Sequence, residues 1–284
     1  MLSTLDFSII ILFLAGISAY GIYNSRFNKT SEDYFLAGRD MPWWAAMLSI
    51  VATETSVLTF ISIPGLAYRD NWFFLQLALG YILGRILVSM FLLPAYFKGG
   101  ITSIYEVLGE RFGKKIQKTA SGVFLLTRIL ADGIRFLATA VIVQVVTGWS
   151  LPVAVLVIGA VTVVYTLMGG IRTVVWVDSF QFVLYLGGGL VAVFYILMHS
   201  DASFGSMLAQ LNDQGKLDIT RWGWDLFSNP WLFFSAGFGG MLLSFASHGA
   251  DYMMVQRVLS VRDLAGARKA MIGSGIFVFI QFSV

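Results

Sequence analysis

Cysteine is absent from the 284 residues, and histidine occurs only as His199 and His248. Without a thiol there is no disulfide framework and no thiolate chemistry, and two imidazoles leave no haem pair or zinc spacing. Charge is scarce as well: Asp, Glu, Lys and Arg make up 12% of the chain against 57% hydrophobic residues. A water-soluble globule of this length needs a far more polar surface. With a mean hydropathy of +0.78, the solvent for this chain is lipid. No Gly-rich phosphate loop or nucleophile elbow interrupts the apolar runs, so the sequence reads as a non-enzyme that needs no cofactor.

What is present is a series of long apolar segments, near residues 5–23, 43–68, 73–97, 119–147, 151–168, 173–198, 231–250 and 271–284. All but the last are about long enough to cross a hydrocarbon core of ~30 Å. The runs are continuously apolar and lack the alternation of barrel strands, which makes the chain an all-α polytopic membrane protein. Nothing basic precedes the first segment and no small-residue cleavage pattern follows it, so it is expected to remain a helix.

Lys and Arg set the orientation. Loops 24–42, 98–118, 169–172 and 251–270 hold Arg26, Lys29, Arg39, Lys98, Arg111, Lys114, Lys115, Lys118, Arg172, Arg257, Arg262, Arg268 and Lys269, whereas the opposite loops hold Arg69, Lys216 and Arg221. The positive-inside rule puts the N-terminus outside a cell membrane and the basic loops in the cytoplasm. The sequence pI near 9.1 then reflects topology and gives no reason to invoke nucleic acid. The basic stretch GERFGKKIQK serves topology and headgroup contact.

One stretch breaks the apolar pattern. IVATETSVLTFISIPG, residues 50–65, places Thr53, Glu54, Thr55, Ser56 and Thr59 inside a membrane-length segment. Counted from the interfacial pair Trp43 and Trp44, Glu54 lies about 16 Å in, near the bilayer midplane. A carboxylate there costs several kcal/mol unless it is protonated, paired or facing a wet cavity. The hydroxyls, with Pro64 and Gly65 further on, point to a locally irregular helix whose released carbonyls can hold a bare cation, a device of secondary transporters. A structural reading stands beside it: Glu54 as partner of a buried cation such as Arg85, with the hydroxyls bonded to their own backbone.

The order of EDYFLAGRDMPWWAAMLSIVATETSVLTFISIPGLAY, GGITSIYEVLGERFG, YTLMGGIRTVVWVDSFQ and GADYMMVQRVLSVRDLAGARKA resembles the sodium:solute symporter family, which transports sugars, sialic acids, amino acids, carboxylates and vitamins. The resemblance implies a five-plus-five inverted repeat preceded by one extra helix. Segment 5–23 would be the extra helix, 43–198 the first repeat, and 231–284 the start of the second, all within one transporter domain. It implies sodium as the coupling ion, held by the main-chain carbonyls of Ala52 and Thr55, with a second sodium at Asp178 in some members. It also implies solute contacts near Glu54, Ser56 and Thr59, where Glu54 departs from the neutral residue common in the family.

Other polar residues within the apolar segments are candidates for the facing wall. Ser244, Ser247 and His248 share one helical face. His248 has two readings, a solute contact and a satisfied buried imidazole. Gln76 is the only amide in a long apolar run and a candidate partner for a sugar hydroxyl or carboxylate. Asp178 has a structural alternative as a salt-bridged helix anchor. Arg128, Asp132 and Arg135 line one stripe and form an ion network in which Asp132 pairs with either arginine; the leftover positive charge is available to Glu54 or to the carboxylate of an acidic solute. Residues 199–229, with Asp201, Asp213, Asp218 and Asp225, read as a solvated outer linker.

The expected function is sodium-driven uptake of a small polar organic solute by alternating access, with the lipid bilayer as the remaining partner. A membrane sensor is the rival class. The final run, MIGSGIFVFIQFSV, would reach only about 21 Å as a helix. The chain is therefore expected to be an incomplete transporter, ending in its seventh core helix.

Overall fold

Lipid offers no partners to a bare backbone, so each apolar run closes its hydrogen bonds internally as a helix. The computed structural model describes residues 2–224 and 229–284. Its helices are α1 (Thr4–Asn24), α2 (Ser31–Leu36), α3 (Trp43–Glu54), α4 (Val57–Arg69), α5 (Phe74–Leu87), α6 (Leu93–Lys98), α7 (Ile104–Phe112), α8 (Lys114–Thr147), α9 (Leu151–Met198), α10 (Phe204–Asp213), α11 (Phe233–Ala250), α12 (Tyr252–Leu259) and α13 (Leu264–Ser283). A π-turn, Val88–Leu92, joins α5 to α6 as one span.

Three departures from straight helices shape the molecule. The run 43–69 breaks at Thr55–Ser56 and bends by 70° between α3 and α4. The irregularity expected of this segment is this break, which lies at the hydroxyls, while α4 continues through Pro64 and Gly65. Second, α9 is interrupted at Gly170, whose φ of 61° with ψ of −166° suits only glycine and whose Cβ position would meet Tyr34 O at 2.8 Å. Its two limbs run in opposite directions beside α1: Phe7 stacks on Trp149 and Gly21 abuts Tyr165, while Phe13 stacks on Phe180 and Asn24 bonds Thr173. Third, α11 passes into α12 through Asp251, which has extended backbone dihedrals.

The loops gather at two ends as the charge pattern implies. At one end Met41 N–H donates to Ser260 O at 3.0 Å, Arg39 to Ile101 O at 2.9 Å, Arg172 to Ala37 O at 2.9 Å and Gln256 to Phe35 O at 2.8 Å. At the other, Trp72 N–H donates to Asp218 O at 3.1 Å and Lys216 Nζ to Tyr68 O at 2.7 Å.

Two expectations change. The connection 199–229 contains α10, an amphipathic helix capped by Ser203, and Asp225 lies outside the described residues. The last helix begins at Leu264, seven residues before its apolar run, because Asp263 caps it and the exposed Arg268 is tied back by donating to Ser89 O at 3.0 Å. At 1.5 Å per residue its length is about 30 Å, not 21 Å.

The tightest packing joins α5 to α11. Added Cβ atoms at Gly80 and Gly84 would collide with the backbone at Gly237 and Met241, and one at Gly240 with Leu77 O. Small residues let membrane helices approach at backbone distance, where dispersion and hydrogen bonds replace the hydrophobic drive that lipid removes. That approach places Arg85, on the last turn of α5, against Ser244 and His248.

Candidate functional site

The break in the first core helix is built by Ser56. In a continuous helix its N–H would bond Ala52 O; here it points to Thr59 Oγ1 at 3.4 Å, and Ser56 Oγ accepts from Thr59 N–H at 3.4 Å. This capping box starts α4 afresh and leaves Ala52 O without its helical partner. Thr55 N–H still closes on Val51 O at 3.0 Å, and its own ψ of 109° turns the Thr55 carbonyl off the helix axis. The break therefore ends α3 in released carbonyls at its negative pole, a donor set suited to a small hard cation. Thr55 Oγ1 also exchanges bonds with the amide of Gln281 on α13, at 2.9 and 3.1 Å.

Glu54 and Arg85 form a buried ion pair. Arg85 is fully buried and also donates to Ser274 Oγ at 2.7 Å and Ser244 Oγ at 3.4 Å, so one guanidinium ties α5 to α3, α11 and α13. His248 Nε2 lies 3.6 Å from Glu54 Oε2, buried and without a hydrogen-bond partner among the described residues, while Nδ1 contacts Ser247 Oγ at 2.9 Å. Glu54, Ser247 and His248 open on a cavity of about 240 Å³ that Thr53, Arg128, Arg135 and Asp251 also line.

The charges around that cavity are unequally satisfied. Arg128 pairs with Asp132 at 2.7 Å and with Asp251 at 3.0 Å. Asp251 also caps α12, accepting from Met253 N–H at 2.8 Å and Met254 N–H at 3.4 Å. Among the described residues Arg135 has one long ion-pair contact, 3.5 Å to Asp132, and its side chain is 54% exposed. Most of its donors remain available to whatever enters.

A second buried cluster lies one turn back along α3. Asp178 Oδ2 accepts from Ser49 Oγ at 2.6 Å, Arg257 Nη2 at 3.0 Å and Thr53 Oγ1 at 3.3 Å. Arg257 Nε donates to Ser49 Oγ at 2.8 Å.

The structure thus brings together Glu54, Ser244, Ser247 and His248. Ser56 and Thr59 sit in the capping box just past the break, and Asp178 belongs to the Arg257 cluster. Gln76 is apart from all of these: fully buried, it donates to Phe73 O and Trp231 O and accepts from Arg221 N–H, each at 3.1 Å, fastening α5 to the outer connection. Asp251, Arg257 and Gln281 were not foreseen as site residues. The signal for Asp251 was present, since Gly-Ala-Asp before an amphipathic run is a helix stop followed by an N-cap. Arg257 counted only towards topology.

Comparison with known proteins places the chain in a family. Residues 34–284 match the model of the sodium:solute symporter family. The chain is 30% identical to the sodium/sialic acid symporter NanT of Aliivibrio fischeri, over 95% of its own length and 53% of that protein's. It is 28% identical to the human sodium-coupled monocarboxylate transporter 2, over 93% and 43%. Among solved structures, a substrate-bound outward-open state of a Na+-coupled sialic acid symporter superposes with a TM-score of 0.88 at 28% identity, covering 99% of this chain and 60% of that one. The chain spans about half the length of the relatives it matches. It is a multi-pass membrane protein, and it belongs to the sodium:solute symporter family.

Proposed function

We propose that the protein works as a sodium-coupled secondary active symporter that imports a small carboxylate-bearing solute by alternating access. Its coupling ion binds at the main-chain carbonyls of Ala52 and Thr55, where the break in the first core helix presents them. The solute occupies the cavity beside Glu54, Ser247 and His248, with Ser56 and Thr59 at its edge. Residues 5–23 serve as an extra helix, 43–198 as the first five-helix repeat and 231–284 as the start of the second. The N-terminus lies outside the cell, with the arginine-rich end of the bundle in the cytoplasm. Asp178 acts as an anchor between helices, because Arg257 already neutralises it.

The observation that carries the solute class is Arg135. Glu54 offsets Arg85, and Asp132 and Asp251 together offset Arg128 and Arg135, so the fixed charges balance; Arg135, whose one ion pair among the described residues is the 3.5 Å contact to Asp132, is the cavity guanidinium with donors to spare. A guanidinium with donors to spare favours a carboxylate. The relatives named above for sialic acid and monocarboxylates both handle acids. The cavity, about 240 Å³, is smaller than the ~300–1,000 Å³ typical of drug-sized ligands, which favours a small acid.

The test is competition for sodium-driven uptake by monocarboxylates, sialic acid, neutral sugars and amino acids, repeated with Arg135→Gln. Acids should compete best, and the variant should raise KM for the preferred acid about tenfold or more, the worth of one charge-assisted hydrogen bond. Preference for a neutral sugar, unaffected by Arg135→Gln, would overturn the solute class.

A further inference from the structure

Arg85 lies at the centre of the membrane-embedded bundle with no exposed surface, and its three side-chain partners come from three other helices. A guanidinium at that depth persists only when an anion offsets its desolvation. Glu54 supplies the anion, and Glu54 is also the last residue of α3, adjoining the carbonyls that the break releases. Two sources of negative potential therefore coincide at the end of α3: the orphan carbonyls of the helix terminus and a full carboxylate. The carboxylate is faced by Arg85 from α5 and by His248 from α11, whose buried Nε2, 3.6 Å away, has no hydrogen-bond partner among the described residues.

We infer that Arg85 is a resident counter-cation that sets the strength of the sodium site. By neutralising Glu54 it leaves the carbonyls of the break as the main attraction for sodium, so the ion binds weakly enough to be released in each cycle. A transported ion needs a site favourable enough to enter and weak enough to leave, and a bare carboxylate beside the carbonyls would violate the second condition. Arg85 touches neither ion nor solute in this arrangement; it is a positioning residue acting through Glu54. The inference rests on the sodium reading of the preceding subsection.

The sign of the effect separates this role from that of a scaffold. Removing the arginine charge exposes the carboxylate and tightens sodium binding; removing the carboxylate leaves an unpaired cation and weakens it. At several ångströms and an effective dielectric near 20, a unit charge changes ion affinity by about tenfold or more. A structural pair instead loses affinity whichever partner is removed.

The experiment is titration of the purified full-length protein with sodium chloride, choline chloride holding the ionic strength, followed by intrinsic tryptophan fluorescence at one constant pH for all variants. Arg85→Gln should lower the sodium Kd about tenfold, Glu54→Gln should raise it by a similar factor, and the double variant should return to within about threefold of the wild type. Weakening by both single variants, with no recovery in the double, would overturn the inference while leaving sodium coupling intact. If Arg85→Gln cannot be purified, Glu54→Gln and the double variant decide: unchanged or tighter binding by Glu54→Gln, or a double variant weaker than that single, contradicts it. A wild type that binds no sodium would overturn the coupling reading, and the inference with it.

Discussion

Two of the interrupted helices, α3–α4 and α11–α12, solve the same backbone problem with opposite chemistry. At Thr55–Ser56 the restart of the helix is capped by a neutral serine–threonine box, which satisfies the new N-terminus and adds no charge. At Asp251 the restart is capped by a carboxylate that also binds Arg128. The first break keeps α3's terminal carbonyls clear of any neighbouring cap charge, while the second is tied into a salt-bridge network. A neutral cap leaves room for a mobile ion, whereas a charged cap recruits a fixed one. Asp178 links the two regions, accepting from Ser49 and Thr53 on the turns before the first break and from Arg257 on the helix after the second.

That comparison can be broken at its link. Asp178→Ala removes three accepted hydrogen bonds and leaves Arg257 buried without its anion, and the loss of a buried partner costs about 3 kcal/mol or more. Thermal unfolding in detergent should show a large fall in Tm, and sodium-dependent uptake should fall with the amount of folded protein. An unchanged Tm would mean that the cluster does not hold α3 to α12.

Next in size is the contrast between the caps themselves. Asp251→Ala removes the cap of α12 and one of Arg128's two anions, for an expected loss of about 2 kcal/mol. Ser56→Ala removes only a neutral cap with bonds of 3.4 Å, for at most about 1 kcal/mol, yet it lets the chain straighten across the break. The serine variant should therefore weaken sodium binding more than it lowers Tm, and the aspartate variant the reverse. Equal patterns in the two would erase the distinction.

The smallest effect sharpens the contrast outside the membrane. Thr30 and Asp33 form at the start of α2 the same reciprocal box as Ser56 and Thr59, with a carboxylate in place of the second hydroxyl. The Thr30 hydroxyl holds the Asp33 carboxyl below its ordinary value. A depressed carboxyl pKa stabilises the fold above the unfolded value and loses that contribution as pH falls through the folded one. Thr30→Ala should lower Tm slightly near about pH 6, with the difference from wild type shrinking under acid. A difference constant with pH would place the effect in the backbone cap alone.

Much of this was legible in the residues. Apolar runs and loop cations announced the spans and their alternation, because lipid demands long closed helices and leaves loops at two ends. The hydroxyl cluster located the break, and α4 accommodates Pro64 in its interior. The start of α13 was hidden because its first turns carry the exposed Arg268 and Lys269, which a hydropathy reading counts as loop. Gln76 illustrates the limit of composition, since a lone amide in an apolar run is polar for a reason that only tertiary contacts reveal. The Glu54–Arg85 pair stood among the alternatives, but choosing it requires knowing that glycines on α5 and α11 bring those helices to backbone contact. Arg257 and Gln281 meet their partners 79 and 226 residues away, which no local pattern reports.

The most direct test of the central reading, ion-coupled transport through the broken helix, is uptake into proteoliposomes holding the full-length protein. Labelled lactate and labelled sialic acid would be followed under an inward sodium gradient, and again under an inward proton gradient with choline in place of sodium. The expected result is accumulation above equilibrium of at least one acid with sodium and none without it. Equal accumulation under the proton gradient alone would contradict sodium coupling at Ala52 and Thr55.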